Sequence, residues 1–271
     1  MIPLVEKASY RGVPVSQFLS KEALEEIAAA CKSVTAIVGS PMLTERGAVS
    51  AAAVLRNGQI EQVVEKQYIS ARREMGFIVG GTGYQVIDIL GAKVAVLVGD
   101  DLSHLNELED DADFVISVNA RRYGKGLLSY RHEMLRRLSY TEGRDVIFIN
   151  QVGGSGDIVF DGTSGVMNRE GKPELLMKSF EEDFAIYDTS IEHTPIEIPY
   201  TSYNDRTRLV YKAACLGLRD YFLKNGYKKA CVGLSGGIDS AVVACLAVGA
   251  LGKENVRVLL MPSPFTPNES V

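Results

Sequence analysis

The stretch Leu234-Ser235-Gly236-Gly237-Ile238-Asp239-Ser240-Ala241 sits between an apolar run with strand character and an apolar run with helix character. Two glycines let the backbone approach a ligand closely with positive φ available, and the start of the following helix offers unpaired N–H groups and the positive end of its dipole. The hydroxyls of Ser235 and Ser240 can donate to phosphate oxygens. Asp239 would repel bare phosphate, but it fits a site where a carboxylate holds a divalent cation. The residue types and their spacing therefore predict a seat for a polyphosphate with magnesium, built from Ser235, Gly236, Gly237, Asp239 and Ser240, with Asp239 on the metal. The turn has neither the lysine of a Walker loop nor the spacing of a dinucleotide fingerprint. The alternative is a glycine-rich strand-to-helix turn with no ligand.

Several elements must position this turn. "KACVGL" before it and "VRVLLM" after the helix read as strands, completing a βαβ unit. Upstream, "RTRLVYKAACLGLRDYFLKNGY" places Leu209, Ala213, Leu216, Leu218 and Tyr221 at helical spacing and stops at Asn225-Gly226. "SIEHTPIEIPYTSYND" breaks the pattern with prolines and turn residues and reads as a linker. Before the linker, residues 16–31 predict an amphipathic helix with Leu19, Ala23, Ile27 and Cys31 on one face and Ser20 as N-cap. Strand patterns follow at "VTAIVGSPML" and "VSAAAVLRNGQIEQVVEK", the latter folded at Asn57-Gly58, and then at "YQVIDIL", "KVAVLVG", "DFVISVN", "VIFINQV" and "IVFDGTSGVMN". A charged helix is expected around 126–142. The whole reads as an α/β protein richer in sheet than a simple doubly wound fold.

Composition narrows the function classes. The chain has 29 basic and 34 acidic residues, a net charge of −5, and no basic cluster interleaved with aromatics, which argues against nucleic-acid binding. No apolar run approaches a membrane span and the N-terminus has no signal-like core, so a cytoplasmic protein is expected. Cys31, Cys215, Cys231 and Cys245 are scattered without metal-ligand or redox spacing and read as reduced core thiols.

"GLSGGIDSA" resembles the loop of enzymes that split ATP between its α and β phosphates, and residues 216–270, with "LGLRDY", "ALG", "ENV" and "MPS", resemble glutamine-dependent NAD synthetase. Other ATP pyrophosphatases, such as asparagine- or GMP-forming ligases, fit less well because their amidase domains belong to different families. The resemblance implies a nitrilase-like α-β-β-α sandwich at 1–188, a linker at 189–206, and at 207–271 the first βαβ part of a Rossmann-like ATP pyrophosphatase domain. It also implies ATP and magnesium as cofactors, and deamido-NAD with glutamine or ammonia as substrates. A homo-oligomer, or association with a complete synthetase, is implied as partner. By this likeness the chain lacks the first strand and helix of the amidase fold and the later part of the synthetase fold.

"VGSPM", "NARRYGKG", "FINQVGGSGDIVFDGTSGVMNREGK" and "SFEEDF" resemble the amidase part of the family. Such amidases use a cysteine nucleophile, a glutamate base and a lysine. In this alignment Gly99 stands at the nucleophile, followed by Asp100 and Asp101, and Leu4, after Pro3 and ahead of Tyr10, stands at the base. Lys66 matches the family lysine, although an exposed strand-end lysine is an equal alternative. Asp157 replaces a substrate-positioning Glu, and Arg121-Arg122 replace a Ser-Pro step. Glycine forms no thioester. The expectation is therefore a synthetase relative whose glutaminase is lost, the alternative being a non-catalytic chain that binds nucleotide weakly or serves in assembly.

Overall fold

The computed structural model describes residues 21–69, 78–105, 108, 112–198 and 206–261. The expectations placed on Pro3, Leu4, Tyr10, Leu19 and Ser20 lie outside them.

Helix α1 (Lys21–Ala30) is followed by the strands β1 (Ala36–Thr44), β2 (Gly47–Arg56) and β3 (Gln59–Glu65), which pair as an antiparallel sheet with β2 in the middle. The β2–β3 hairpin turns at Asn57 (φ 54°) and Gly58 (φ 80°), the left-handed pair that a tight hairpin turn demands. A second sheet of six strands has the order β11-β10-β7-β6-β5-β4. Its members are β4 (Gln85–Ile89), β5 (Ala92–Val98), β6 (Phe114–Asn119), β7 (Asp145–Asn150), β10 (Gly165–Met167) and β11 (Pro173–Leu176). The central strands β5, β6 and β7 are parallel, and β4, β10 and β11 join antiparallel. The one-turn helix α2 (Asp101–His104) follows β5, and α3 (Leu127–Glu142) connects β6 to β7.

Strand alternation explains how these elements stack. On β2, Ala53 and Leu55 point to one side, where they meet Leu24, Ala28 and Cys31. Ala52 and Val54 point to the other and meet Val94, Val96 and Val98 of β5. On β5 the opposite set, Ala95 and Leu97, packs with Leu135 and Leu138 of α3. The result is helix on sheet on sheet on helix, the sandwich expected from sequence. The sequence reading of α1 needs correction. Leu24, Ala28 and Cys31 are buried, Ile27 is 44% exposed and Ala23 is exposed. The stripe at i, i+4 and i+7 is the one that faces β2, and the neighbouring stripe through Ala23 and Ile27 points outward.

Two further units follow. β8 (Val152–Ser155) and β9 (Ile158–Asp161) form a hairpin against which α4 (Arg206–Lys224) packs through Leu209, Ala213 and Leu216. Of the helical apolar set anticipated there, Tyr221 is exposed. Consecutive glycines make the close approach possible. A Cβ on Gly154 would lie 3.1 Å from Gly217 Cα, and the Gly154 amide donates to Asp220 Oδ2 at 2.6 Å. Beyond α4 come β12 (Ala230–Leu234), α5 (Ile238–Leu251) and β13 (Val256–Leu260), with β12 and β13 parallel as the βαβ pattern predicts. On α5 only Ala247 is buried, and Val258, Leu259, Leu260 and Met261 remain exposed. The expectation of four core thiols fails for the same reason. Cys31 is buried, but Cys231 and Cys245 are exposed because nothing among the described residues covers those outer faces.

Candidate functional site

Two groups of residues matter for chemistry. The first lies at the C-terminal edge of the central parallel strands. The chain leaves β5 through Gly99, whose φ of 60° is left-handed. A Cβ at Gly99 would point at Lys66, 3.3 Å from Cε and 3.5 Å from Nζ. Lys66 follows β3 of the first sheet and Gly99 follows β5 of the second, and the packing of the two sheets brings them into contact. Lys66 is completely buried, so the exposed strand-end reading does not hold.

Asp100 and Asp101 diverge in role. Asp100 Oδ2 lies 3.3 Å from Lys66 Nζ, and its Oδ1 lies 3.4 Å from Arg121 Nη2. Asp101 is buried and accepts hydrogen bonds from the backbone amides of Gln67 (2.9 Å) and Tyr68 (2.8 Å). Burial raises its pKa, a shift opposed by those amides and by the charge of Lys66. Asp101 therefore pins the segment after Lys66 to the start of α2.

Arg121 is the residue whose role the sequence least announced. Its Nη2 donates to the Gly99 carbonyl at 3.3 Å and to Ser103 Oγ at 2.7 Å, and its Nε donates to Asn119 Oδ1 at 3.3 Å. Burial lowers the pKa of this guanidinium, and Asp100 opposes the shift. Asn150 at the end of β7 holds the Arg121 backbone from both sides, accepting from its amide at 2.7 Å and donating to its carbonyl at 3.1 Å. Tyr68 and His104 stack with centroids 4.2 Å apart. Asp157 lies exposed in the turn between β8 and β9, and Arg122 bridges to Phe160. Cys31 sits in the α1–β2 core, so it does not replace the missing nucleophile.

A buried ion pair is tied to this edge through Gly162, the residue after Asp161, because the Gly162 carbonyl accepts from Asn150 Nδ2 at 3.0 Å. Arg131 of α3 lies 2.5 Å from Asp161 Oδ2, which also accepts from Thr163 Oγ1 at 2.9 Å. The Arg131 guanidinium carbon stands 5.2 Å from the centre of the Phe148 ring. The repeated charges of α3 gave no sign of which arginine turns inward.

The second group is the glycine turn. Gly236 has φ 84°, and Gly237 is extended before the first turn of α5. Ser240 Oγ ties the loop together, accepting from the Ser235 amide at 3.2 Å, lying 3.1 Å from Ser235 Oγ and donating to the Gly237 carbonyl at 2.9 Å. The amides of Ile238, Asp239 and Ser240 donate to no acceptor among the described residues, and no side chain caps the helix. Those N–H groups, the exposed Ser235 hydroxyl and the half-buried Ser240 hydroxyl are open to an external anion, and the exposed Asp239 to a cation beside it. The donor set fits a pyrophosphate. One carboxylate suits magnesium, which keeps several waters and takes other ligands from phosphates. Among the described residues no group of three or more His, Cys, Asp or Glu converges to cage a metal by itself.

Residues 210–271 match the NAD synthase family. Over 256 residues the chain is 33% identical to the glutamine-dependent NAD(+) synthetase of Xylella fastidiosa, covering 90% of this chain and 47% of that protein. The chain belongs to the glutamine-dependent NAD(+) synthetase family. The synthetase of Aquifex aeolicus is 30% identical, covering 82% of this chain and 46% of its own length. The chain thus spans about half the length of the curated synthetases it matches. The structure of the glutamine-dependent NAD+ synthetase from Acinetobacter baumannii in complex with adenosine diphosphate superposes with a TM-score of 0.76 at 29% identity, covering 92% of this chain and 49% of that one. A CN-hydrolase superfamily protein from Xanthomonas campestris shares the fold, with a TM-score of 0.52 at 16% identity over 70% of this chain and 72% of that one. The architecture is accordingly a nitrilase-like sandwich followed by the Rossmann-like β12-α5-β13 unit of an NAD synthetase. Among the described residues, no helix is long and apolar enough to cross a membrane.

Proposed function

We propose that the glycine turn seats the pyrophosphate part of ATP with magnesium, for the ATP-dependent amidation of deamido-NAD to NAD, and that the amidase-type unit has lost glutamine hydrolysis. The observation that carries the first part is the set of first-turn amides behind Ser235, Gly236 and Gly237 that have no acceptor among the described residues. In this reading the substrate carboxylate attacks the α-phosphorus of ATP, and pyrophosphate leaves from the loop. The amides of residues 238–240 and the hydroxyl of Ser235 hold the leaving oxygens, the Ser240 hydroxyl joins them by turning its proton from the Gly237 carbonyl, and Asp239 would hold the cation. Magnesium, when bound, neutralises charge on the departing pyrophosphate. Ammonia then displaces AMP to form the amide.

The second part rests on Gly99, which has no atom to attack a carboxamide although Lys66 stands beside it. Lys66 is retained as a positioning cation. The division into an amidase-type unit at 1–188, a linker at 189–206 and a synthetase-type unit at 207–271 belongs to the same proposal, as does assembly into a homo-oligomer or with a complete synthetase. The exposed apolar residues of β13 and α5 favour a second reading, in which the loop binds nucleotide and further polypeptide must cover this unit before chemistry proceeds.

The deciding assay incubates the protein with deamido-NAD, ATP and magnesium, in parallel with ammonium and with glutamine, and follows NAD and pyrophosphate. Product with ammonium alone is the expected result. Product with glutamine overturns the loss of glutaminase, and no product from either nitrogen source selects the second reading.

A further inference from the structure

At the amidase edge the missing nucleophile is accompanied by Arg121, at a step where the resembled family carries Ser-Pro. Residue 99 projects toward Lys66, so a carboxamide would be attacked in the space above Gly99, and its developing oxyanion would draw on Lys66 Nζ. In this chain a carboxylate already engages that ammonium: Asp100 Oδ2 stands 3.3 Å from Lys66 Nζ. The other Asp100 oxygen lies 3.4 Å from Arg121 Nη2, and the same guanidinium is bonded to the Gly99 carbonyl, Ser103 Oγ and Asn119 Oδ1. Arg121 is itself clamped at its backbone by Asn150. The route from β7 to Lys66 is therefore a chain of fixed contacts: Asn150, Arg121, Asp100, Lys66.

We propose that Arg121 and Asp100 form an internal plug, the Asp100 carboxylate standing in for the substrate's acyl oxygen at Lys66 and Arg121 holding it there across residue 99. The inference rests on the loss of glutaminase proposed above and extends it: the site is occupied as well as disarmed. Restoring a cysteine alone then leaves a thiol that a glutamine-shaped molecule does not reach. A Cβ at Gly99 meets only Lys66 side-chain atoms, the nearest at 3.3 Å, so the thiol enters with a shift of a few tenths of an ångström in Lys66 and with the backbone strain of a side chain at φ 60°.

The test reads alkylation at residue 99 by a glutamine-derived α-chloroketone. The introduced thiol loses its proton to buffer, its sulfur displaces chloride, and a C–S bond forms. Modification is located by peptide mass, which separates it from Cys31, Cys215, Cys231 and Cys245. The variants are Gly99→Cys, Gly99→Cys with Arg121→Ser, and Gly99→Cys with Asp100→Ser. Iodoacetamide serves as a small control for general exposure of the thiol. The expected result is labelling by the chloroketone at least tenfold faster in either double variant than in Gly99→Cys, with a smaller change for iodoacetamide. Equal chloroketone rates in all three overturn the plug. Should the Arg121→Ser protein not fold, the Asp100→Ser variant carries the comparison alone. Glutamine hydrolysis by the unaltered protein is a separate outcome. It overturns the proposed loss of glutaminase itself, and the plug with it, whereas equal labelling rates overturn the plug and leave that loss standing.

Discussion

The edge around Gly99 and the turn around Gly236 are both built where a strand meets a helix, and both rely on a glycine with positive φ. They differ in where their polar groups are spent. At the first, Asp100, Asp101 and Arg121 find their partners within the protein, and Lys66 lies fully buried. At the second, Ser235, Gly237 and Ser240 bond mainly to one another and to the first turn of the helix, and among the described residues the amides of Ile238, Asp239 and Ser240 have no acceptor. A site whose charges are satisfied internally contributes to stability, and one left open is available to a ligand. Substitutions should therefore act on folding at the first edge and on binding at the second.

The largest effect is expected at the support of the first edge. Arg131→Ala leaves the buried Asp161 carboxylate without its cation, so denaturant unfolding should show a loss of about 3–5 kcal/mol. Little change in the midpoint would contradict the structural role given to this edge. Next, Asp220→Ala removes the acceptor of the Gly154 amide, a buried-donor cost of about 1–3 kcal/mol. Hydrogen exchange should quicken in β8, β9 and α4 while the central strands stay protected.

At the open turn the prediction inverts. Asp239→Asn should weaken magnesium-dependent ATP binding at least tenfold, about 1.4 kcal/mol by titration calorimetry, with stability unchanged within about 0.5 kcal/mol. Unchanged ATP affinity would remove the loop assignment.

The smallest effect concerns pH. Burial raises the Asp101 pKa in the folded protein, so the native state binds more proton than the unfolded chain in the window above the ordinary aspartate value. This group's contribution to stability is full below the unfolded pKa of about 3.9 and falls away as pH rises through the folded value. Comparing urea unfolding of the unaltered protein and Asp101→Asn across that window should show the slope flattened in the variant. An unchanged slope would remove Asp101 from the account.

Much of the architecture could be read from local pattern. The Asn57-Gly58 hairpin, the strand series from "YQVIDIL" to "VIFINQV", the stop at Asn225-Gly226 and the βαβ unit depend on neighbours in sequence, and they recur as elements of the structure. Patterns that depend on which face meets a partner were less legible. Ala23 and Ile27 matched helical spacing as well as Leu24 and Ala28, and only contact with β2 chose between them. Cys231 and Cys245 have apolar neighbours in sequence, which says nothing of whether a third element covers them. The paired glycines of "QVGGSGD" carried an unused signal, since adjacent glycines in a strand mark close backbone approach, and α4 makes that approach.

What the sequence determined by itself was the conformational and chemical potential of short stretches: a glycine turn that can present amides to an anion, and a glycine at position 99 that cannot attack a carbonyl. Those follow from residue type and local backbone geometry. The tertiary structure decided which distant groups meet: Lys66 beneath Gly99, Asp100 between Lys66 and Arg121, Arg131 on Asp161. Charges far apart in sequence acquire partners only when the packing of sheet on sheet and helix on sheet brings them together. Burial at that edge makes each unpaired charge costly, and so fixes which partners it must have.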